Sequence, residues 1–216
     1  MCTVTCLIRE NDIMLTSNRD IPINRPHSKP PEIYNFNSKN ILFPLDPFGK
    51  GSWIGTNGTE IVCLLNHKGE EKGVKSRGLL TRKILTHEIK LNDLDSISKK
   101  YNPYKLIYLN NCEKKFYEIT WNTKKLNLNK ITESLKIWSS NSIYNIDKIK
   151  KKADYFSTNC NINCSSKDLL KFHLDSKNLL KNNFYETTSI TQIIHSDLIS
   201  MHYKDLINQK DYDTIY

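Results

Sequence analysis

Two apolar runs separated by a polar turn open the chain. Residues 2–9 (CTVTCLIR) and 12–18 (DIMLTSN) are rich in β-branched and other apolar side chains, and the segment 10–12 (END) divides them. Runs of this length and composition are typical of largely buried strands, so the pattern predicts an antiparallel hairpin. In such a hairpin the polar triplet 18–20 (NRD), at the far end of the second strand, returns to the start of the chain.

Strand patterns and turns then continue as far as residue 139, interrupted by one helical stretch. Four prolines between residues 20 and 31 predict a long irregular loop, and Asn57-Gly58 is a strong signal for a tight hairpin turn. A further turn is expected at 46–51 (DPFGKG). Strands are predicted at 32–36, 40–44, 52–56, 60–66, 104–109, 115–121, 124–129 and 135–139.

Helical periodicity appears in two places. Ser76 is the expected N-cap of a helix that runs to about Ile89, and a weaker helix is expected over 91–100. Two more helices are predicted at 146–156 and 166–175, with the lysine run 148–152 (KIKKK) interpreted as a solvated helix face, and strands at 186–195 and 198–206 complete the chain. Antiparallel sheets with helices packed outside them fit this order, so the predicted class is α+β. No linker is evident, which indicates one domain over residues 1–216.

Composition excludes several classes of protein. No apolar stretch reaches the eighteen residues that a membrane-spanning helix needs, and the N-terminus lacks the pattern of a secretory signal, so a cytoplasmic protein without an integral membrane segment is expected. The net charge is +9, but 27 of the 32 basic residues are lysine. Arginine is the residue favoured for phosphate recognition, and no aromatic residues interleave with a basic stripe, so nucleic acid is not the expected partner.

The six cysteines offer one alternative, a zinc site. Cys2 and Cys6, or Cys160 and Cys164, are the pairs that suggest it. In a strand, however, Cys2 and Cys6 are about 13 Å apart and cannot share an ion bound by sulfur at about 2.3 Å. We therefore predict no metal site and no cofactor, and we interpret Cys6 and Cys63 as buried strand residues.

Cys2 is the candidate nucleophile. If Met1 is removed, this residue carries a thiol and an α-amine on the same carbon atom, and the amine can serve as a local base for the thiol. Arg19 would favour the thiolate, and Asp20 would accept hydrogen bonds from the ammonium group and orient it. The alternatives are a buried strand cysteine and a surface Arg–Asp pair of little energetic value.

An acyl-transfer site also needs donors for a developing oxyanion. Asn66, at the end of the strand EIVCLLN, and Asn141, in WSSNS, occupy positions where such donors could lie. Asparagine is also a common turn former at strand ends, so each could be purely structural.

Several motifs in order resemble the NRDE family, which includes the transport and Golgi organisation proteins. They are MCTVT at the N-terminus, SNRD followed by NRP, GSWIG at 51–55, LLN at 64–66, SRG at 76–78 and WSSNSIY at 138–144. The resemblance implies a four-layer αββα sandwich of the N-terminal nucleophile hydrolase type, distantly similar to bile-salt hydrolases and penicillin V acylases. It also implies a catalytic role for Cys2, Arg19, Asp20, Asn66 and Asn141.

The chain departs from those enzymes at two points. Ile21 follows Asp20 where the family motif has glutamate, and no arginine follows Arg82, whereas the acylases carry an arginine in a late strand. Residues 187–189 (TTS) occupy the corresponding region.

Two functions are consistent with these residues. The first is an amidohydrolase or acyltransferase that acts on a small acyl amide or thioester, with Asn18 and Trp53 contributing to substrate binding. The second is a binding or trafficking protein on the same scaffold for haem, a lipid or an acyl thioester. His27, His67 and His195 are conceivable haem ligands, although no spacing distinguishes one of them.

Overall fold

A computed structural model describes residues 3–70 and 73–216 of the chain. It divides into two compact units, one formed by Met1–Arg25 with Glu133–Tyr216 and the other by Pro26–Thr132. Each unit contains one antiparallel sheet and two α-helices, so the predicted α+β class is confirmed. We refer to them as unit 1 and unit 2.

Unit 1 is built on a six-stranded sheet whose first hairpin follows the predicted pattern. In chain order its elements are β1 (Thr3–Ile8), β2 (Ile13–Pro22), β10 (Leu135–Ser139), α3 (Ile146–Asn159), α4 (Ser166–Leu174), β11 (Tyr185–His195), β12 (Ile199–Asp205) and β13 (Lys210–Ile215), and the sheet order is β10-β1-β2-β11-β12-β13. β1 and β2 pair from Val4 opposite Ser17 to Ile8 opposite Ile13. The Arg9 amide donates to the Asp12 carbonyl over 2.8 Å and closes the turn.

The two faces of this sheet differ in what they contact. Leu7 and Met14 pack against the helices together with Phe156, Leu169 and Phe172. Because side chains alternate along a strand, Val4, Cys6 and Leu15 lie on the opposite face, where each is at most 1% exposed. The interpretation of Cys6 as a buried strand residue is therefore confirmed.

Polar caps fix where the two helices of unit 1 begin. The Asn145 side chain accepts a hydrogen bond of 2.9 Å from the amide of Lys148 at the start of α3. Ser165 and Asp168 form a reciprocal capping box at the start of α4, in which each side chain accepts from the other residue's amide. Such caps satisfy amides that have no partner within the helix.

Unit 2 is built on a seven-stranded sheet in the order β3-β4-β5-β6-β7-β8-β9. Its elements are β3 (Lys29–Phe36), β4 (Lys39–Leu45), β5 (Ile54–Thr56), β6 (Glu60–Asn66), α1 (Gly78–Leu85), α2 (Leu94–Ile97), β7 (Tyr104–Asn110), β8 (Lys115–Trp121) and β9 (Leu126–Lys130). Leu80, Ile84 and Leu85 of α1 pack in one cluster with Val62 and Leu64 of β6. The predicted strand at 60–66 is confirmed to the residue, and Cys63 in it is fully buried.

The predicted bounds of the loop over residues 20–31 are wrong at both ends, because strands extend into it from either side. β2 continues to Pro22, and β3 contains Pro30 and Pro31. β3 lies at the edge of its sheet, where one side of the strand needs no backbone donor, and the pairing with β4 shifts between Lys29 and Pro31. Edge strands and irregular pairing are the places where a sheet tolerates proline.

Two further predictions are corrected. Ser76 does not cap α1: Arg77 already has helical dihedral angles and no side chain caps the helix. The helix ends at Leu85 because His87 takes a left-handed backbone conformation with φ of 59°, so it stops short of Ile89.

Strand β13 was not predicted from the sequence. Its residues (KDYDTI) are largely charged or polar, as is common for an edge strand.

Gly51 lies where two backbone segments of unit 2 meet. A Cβ atom at this position would come within 2.4 Å of the backbone carbonyl carbon and oxygen of Gly78, whereas a Cβ at Gly78 would have no neighbour closer than 3.5 Å. We expect Gly51→Ala to lower the free energy of unfolding by about 1–3 kcal/mol, since backbone atoms must move. Gly78→Ala is the control and should change it by less than about 1 kcal/mol. Urea denaturation measures both, and equal effects would contradict the packing described.

No α-helix in the described part of the chain is long and apolar enough to cross a membrane.

Candidate active site

The polar triplet at the end of β2 returns to the start of β1, as the hairpin pattern predicts. Val4 pairs with Ser17, so Asn18, Arg19 and Asp20 lie just beyond the first described residues of β1. On the other side of β1, Thr3 pairs with Ser139, the last residue of β10. The turn at 140–143 therefore reaches the same end of the sheet. Met1 and the candidate nucleophile Cys2 lie outside the described residues.

Asp20 is fully buried and holds two hydroxyl groups. Tyr144 Oη donates to Asp20 Oδ2 and Thr187 Oγ1 donates to Asp20 Oδ1, each over 2.6 Å. Burial raises the pKa of the Asp20 carboxyl, while the bonds from Thr187 and Tyr144 and the charge of Lys152 act in the opposite direction. The pairing of β11 with β2 shifts between Thr187 and Ser189 at a bulge, and Thr187 remains directly opposite Asp20.

Arg19 lies on the opposite face of the sheet from Asp20, because successive strand residues alternate. It is 3% exposed and pairs with Ser189. Two residues away along each strand, on the same face, Ser17 pairs with Thr191. The hydroxyl oxygens of Ser189 and Thr191 are buried and have no hydrogen-bond partner among the described residues. This face therefore carries a buried polar strip whose two hydroxyl groups use none of their hydrogen-bonding capacity within the described residues.

Lys152, on α3, reaches the first described residue of β1. Its ammonium group donates to Thr3 Oγ1 over 2.8 Å and to the Asn178 carbonyl over 3.0 Å, and it lies 4.5 Å from the centre of the Tyr144 ring. The residue is 4% exposed, and burial lowers its pKa to about 8. The interpretation of 148–152 as a solvated helix face is thus wrong for Lys152.

His173, on α4, connects Asn18 to β1. Its Nδ1 lies 2.5 Å from Asn18 Oδ1 and its Nε2 lies 2.8 Å from Thr5 Oγ1. The Asn18 amide nitrogen donates to the His173 and Asn178 carbonyls, so Oδ1 is the acceptor and the imidazole carries its proton on Nδ1. Burial lowers the pKa of His173 to about 3, which keeps the ring neutral. The network fixes the Asn18 side chain.

Comparison with known protein families adds one finding. The model of the family described as Transport and Golgi organisation 2 matches residues 1–214, almost the whole chain. The chain belongs to the Transport and Golgi organisation 2 family. A search of curated proteins finds no match to it.

The other predicted site residues of this family member fall in both units. Asn141 lies in unit 1, two residues after Ser139 and therefore close to Thr3. Asn66 lies in unit 2 at the end of β6, and Trp53, also in unit 2, is 6% exposed. The roles of Asn66 and Asn141 as oxyanion donors and of Asn18 and Trp53 in substrate binding stay predictions.

Four buried residues around the triplet were not predicted as part of the site, namely Tyr144, Lys152, His173 and Thr187. Tyr144 is the last residue of WSSNSIY, one of the motifs behind the family resemblance, so that motif carried a usable signal. Lys152 lies one helical turn after Lys148, and nothing local distinguishes it from its exposed neighbours. His173 and Thr187 are far along the chain from their partners, and only the fold brings them to β1 and β2.

Proposed function

We propose that this member of the family is an N-terminal-cysteine amidohydrolase or acyltransferase that acts on a small acyl amide or thioester. The observation that carries the proposal is the buried carboxylate of Asp20 at the end of the sheet where β1 begins, held by Tyr144 and Thr187. A carboxylate fixed at this place is suited to orient the α-amine that removal of Met1 would create.

In the proposed reaction the Cys2 thiol passes its proton to its own α-amine, and the thiolate attacks the substrate carbonyl. The ammonium group then protonates the leaving amine or thiol as the C–N or C–S bond breaks, which leaves an acyl group on Cys2. Water, or a second acceptor, takes the acyl group and restores the thiol. Asn66 and Asn141 would stabilise the oxyanion that develops on the carbonyl oxygen.

Two features of unit 1 support the roles given to Asp20 and Arg19. Their side chains are on opposite faces of β2, so one can hold the amine while the other contributes positive charge near the thiol or the substrate. Beside Arg19, the buried hydroxyls of Ser189 and Thr191 offer donors to a polar substrate group. Both belong to β11, which contains residues 187–189, the region that the resemblance relates to the late arginine of the acylases.

The four-layer αββα sandwich is part of the same proposal. Each unit supplies one antiparallel sheet with helices packed on one of its faces, which are the two halves that such a sandwich requires. The NRDE motifs and the distant similarity to bile-salt hydrolases are consistent with it. Action in the cytoplasm, on a small molecule, completes the proposal.

The alternative function is non-catalytic binding or trafficking of haem, a lipid or an acyl thioester. The description of the family, which refers to transport and Golgi organisation, favours it. The two functions differ at Cys2, because binding does not require a free N-terminal cysteine. Stoichiometric binding by a protein that retains Met1 would therefore distinguish it from the enzyme.

Acyl transfer from p-nitrophenyl esters of increasing chain length tests the proposal. We expect a burst of one equivalent of p-nitrophenolate per chain, followed by slower turnover. Peptide mass spectrometry should place the acyl group on residue 2, either on the sulfur or, after intramolecular transfer, on the α-amine. The dependence of the burst rate on chain length would report the size of the acyl site.

Cys112 provides the matched control, because it is an exposed free thiol. Cys112→Ser should leave the burst unchanged. Acylation that is spread over Cys112 and other side chains, with none on residue 2, would refute an N-terminal nucleophile.

A further inference from the structure

A cavity in unit 1 is lined by four lysines. It has a volume of about 680 Å³, and its walls come from α3 and from the segment that follows α4. Lys148, Lys151 and Lys152 contribute from α3, and Lys177 contributes from the segment after α4. The three helix positions are spaced by three and four residues, so they form one stripe on the helix.

The positive charge of this cavity is only partly offset by the protein, through Asp20 near Lys152 and Asp175 near Lys177. None of the four lysines forms an ion pair with a carboxylate in the described part of the chain, and Asp147 is the one acidic side chain among the described lining residues. Four ammonium groups around a cavity whose described lining holds one carboxylate still create a potential that attracts an anion carrying more than one charge.

The inner wall of the cavity is buried and holds unused hydrogen-bonding capacity. Lys152 is buried and uses two of its three donors on Thr3 and Asn178. Asn178 is fully buried, and its Oδ1 has no hydrogen-bond partner among the described residues. A protonated phosphate oxygen would satisfy both groups, since it can accept from the ammonium and donate to the amide oxygen.

We propose that this lysine cavity binds the phosphate group of a small phosphorylated molecule or of a phospholipid head group. Lysine ammonium groups bind phosphate as point charges, and the volume admits a group of two or three phosphates or one sugar phosphate. Lys152 and Asn178 also contact Thr3 and Asn18 beside the candidate active site, but the proposal does not depend on the chemistry at Cys2.

Pyrophosphate titration by calorimetry is the first test, with charge-reversal variants of the same helix. Lys148→Glu combined with Lys151→Glu should weaken binding by at least about tenfold, because two attractive charges become repulsive. Lys150→Glu is the matched control: Lys150 is exposed on the other side of α3, and we expect less than about a threefold change. Equal affinity in all three proteins, or no binding by the wild type at about 10 mM pyrophosphate, would overturn the proposal.

The pH dependence of binding gives a second readout, which a merely basic surface would not show. Lys152 has a pKa of about 8, and a bound anion would raise it, so affinity should decrease as the pH rises from 7 to 9. The Lys152→Met variant keeps the apolar stem of the side chain. Dividing the wild-type affinity by the affinity of this variant at each pH cancels the effect of the ionisation of pyrophosphate itself. The groups that face Lys152 come from four parts of unit 1. They are Thr3 of β1 and Asp20 of β2; Tyr144 before α3, with Lys148 and Tyr155 in α3; and His173 in α4, with Lys177 and Asn178 after it. A ratio that is constant from pH 7 to 9 would exclude Lys152 from the site.

Vesicles that contain phosphatidylinositol bisphosphate identify the source of the phosphate. Co-sedimentation of the wild type that pyrophosphate reverses would assign a lipid head group. Pyrophosphate binding without co-sedimentation would assign a soluble phosphate ester. Co-sedimentation that the Lys148→Glu/Lys151→Glu variant retains in full would contradict a role for the cavity.

Discussion

Replacing Asp20 by alanine is expected to lower the free energy of unfolding by about 3–5 kcal/mol, one of the largest effects that a single substitution can have in unit 1. The carboxylate accepts from Tyr144 and Thr187, and both hydroxyls would lose their acceptor in a buried place. Its charge also partly compensates that of Lys152. Urea denaturation, with a check that the slope is unchanged, measures the loss.

Asp213→Ala is the matched control for this experiment. Asp213 pairs with His202 across 2.8 Å, but its side chain is 80% exposed, so we expect a loss of less than about 1 kcal/mol. Tyr144→Phe removes one of the two donors, and its coupling with Asp20→Ala in a double-mutant cycle would isolate that bond. Similar losses for Asp20→Ala and Asp213→Ala would show that Asp20 is not held as described.

Replacing Cys2 by alanine is expected to reduce the rate of acyl-enzyme formation by at least about a thousandfold. The substitution removes the only proposed nucleophile and leaves the α-amine, which alone is a poorer attacking group for thioesters and esters at neutral pH. A small change in the free energy of unfolding would show that the lost rate is not a loss of folded protein. Rapid-mixing measurement of p-nitrophenolate release gives the rate.

Cys2→Ser separates nucleophilicity from position. It keeps a hydroxyl nucleophile beside the amine and should retain slow acylation that exceeds that of Cys2→Ala. A Cys2→Ala protein with an unchanged burst would place the nucleophile elsewhere, and Cys6 is excluded as a replacement because burial strongly raises the pKa of its thiol.

The parts of the fold that sequence alone predicted are those fixed by neighbouring residues. The first hairpin depends on two apolar runs and the short polar turn between them, and its register brings the triplet to the start of β1. The strand β6 and the helices α3 and α4 have similarly local signals in their apolar pattern and caps. The polar edge strand β13 has no comparable apolar pattern that would indicate a strand. In β3, the two prolines locally favour a loop, and only the position at the sheet edge allows a strand there.

The site was predictable to the same extent. Asp20 was identified from its place after a strand, but its partner Thr187 lies 167 residues away and was identifiable only from the pairing of β11 with β2. The sequence predicts a solvent-facing Lys152, because helix periodicity cannot show that Thr3 and the Asn178 carbonyl accept hydrogen bonds from its ammonium group. Long-range acceptors decide whether a charged residue is buried, and they are absent from any local window.

The intact mass of the purified protein is the sharpest test of an N-terminal cysteine nucleophile. The proposed mechanism needs the α-amine and the thiol on one residue, so we expect a chain shorter by one methionine, with Cys2 alkylated by iodoacetamide ahead of the exposed Cys112. A chain that retains Met1 would contradict this mechanism, because its α-amine would then belong to a different residue from the thiol.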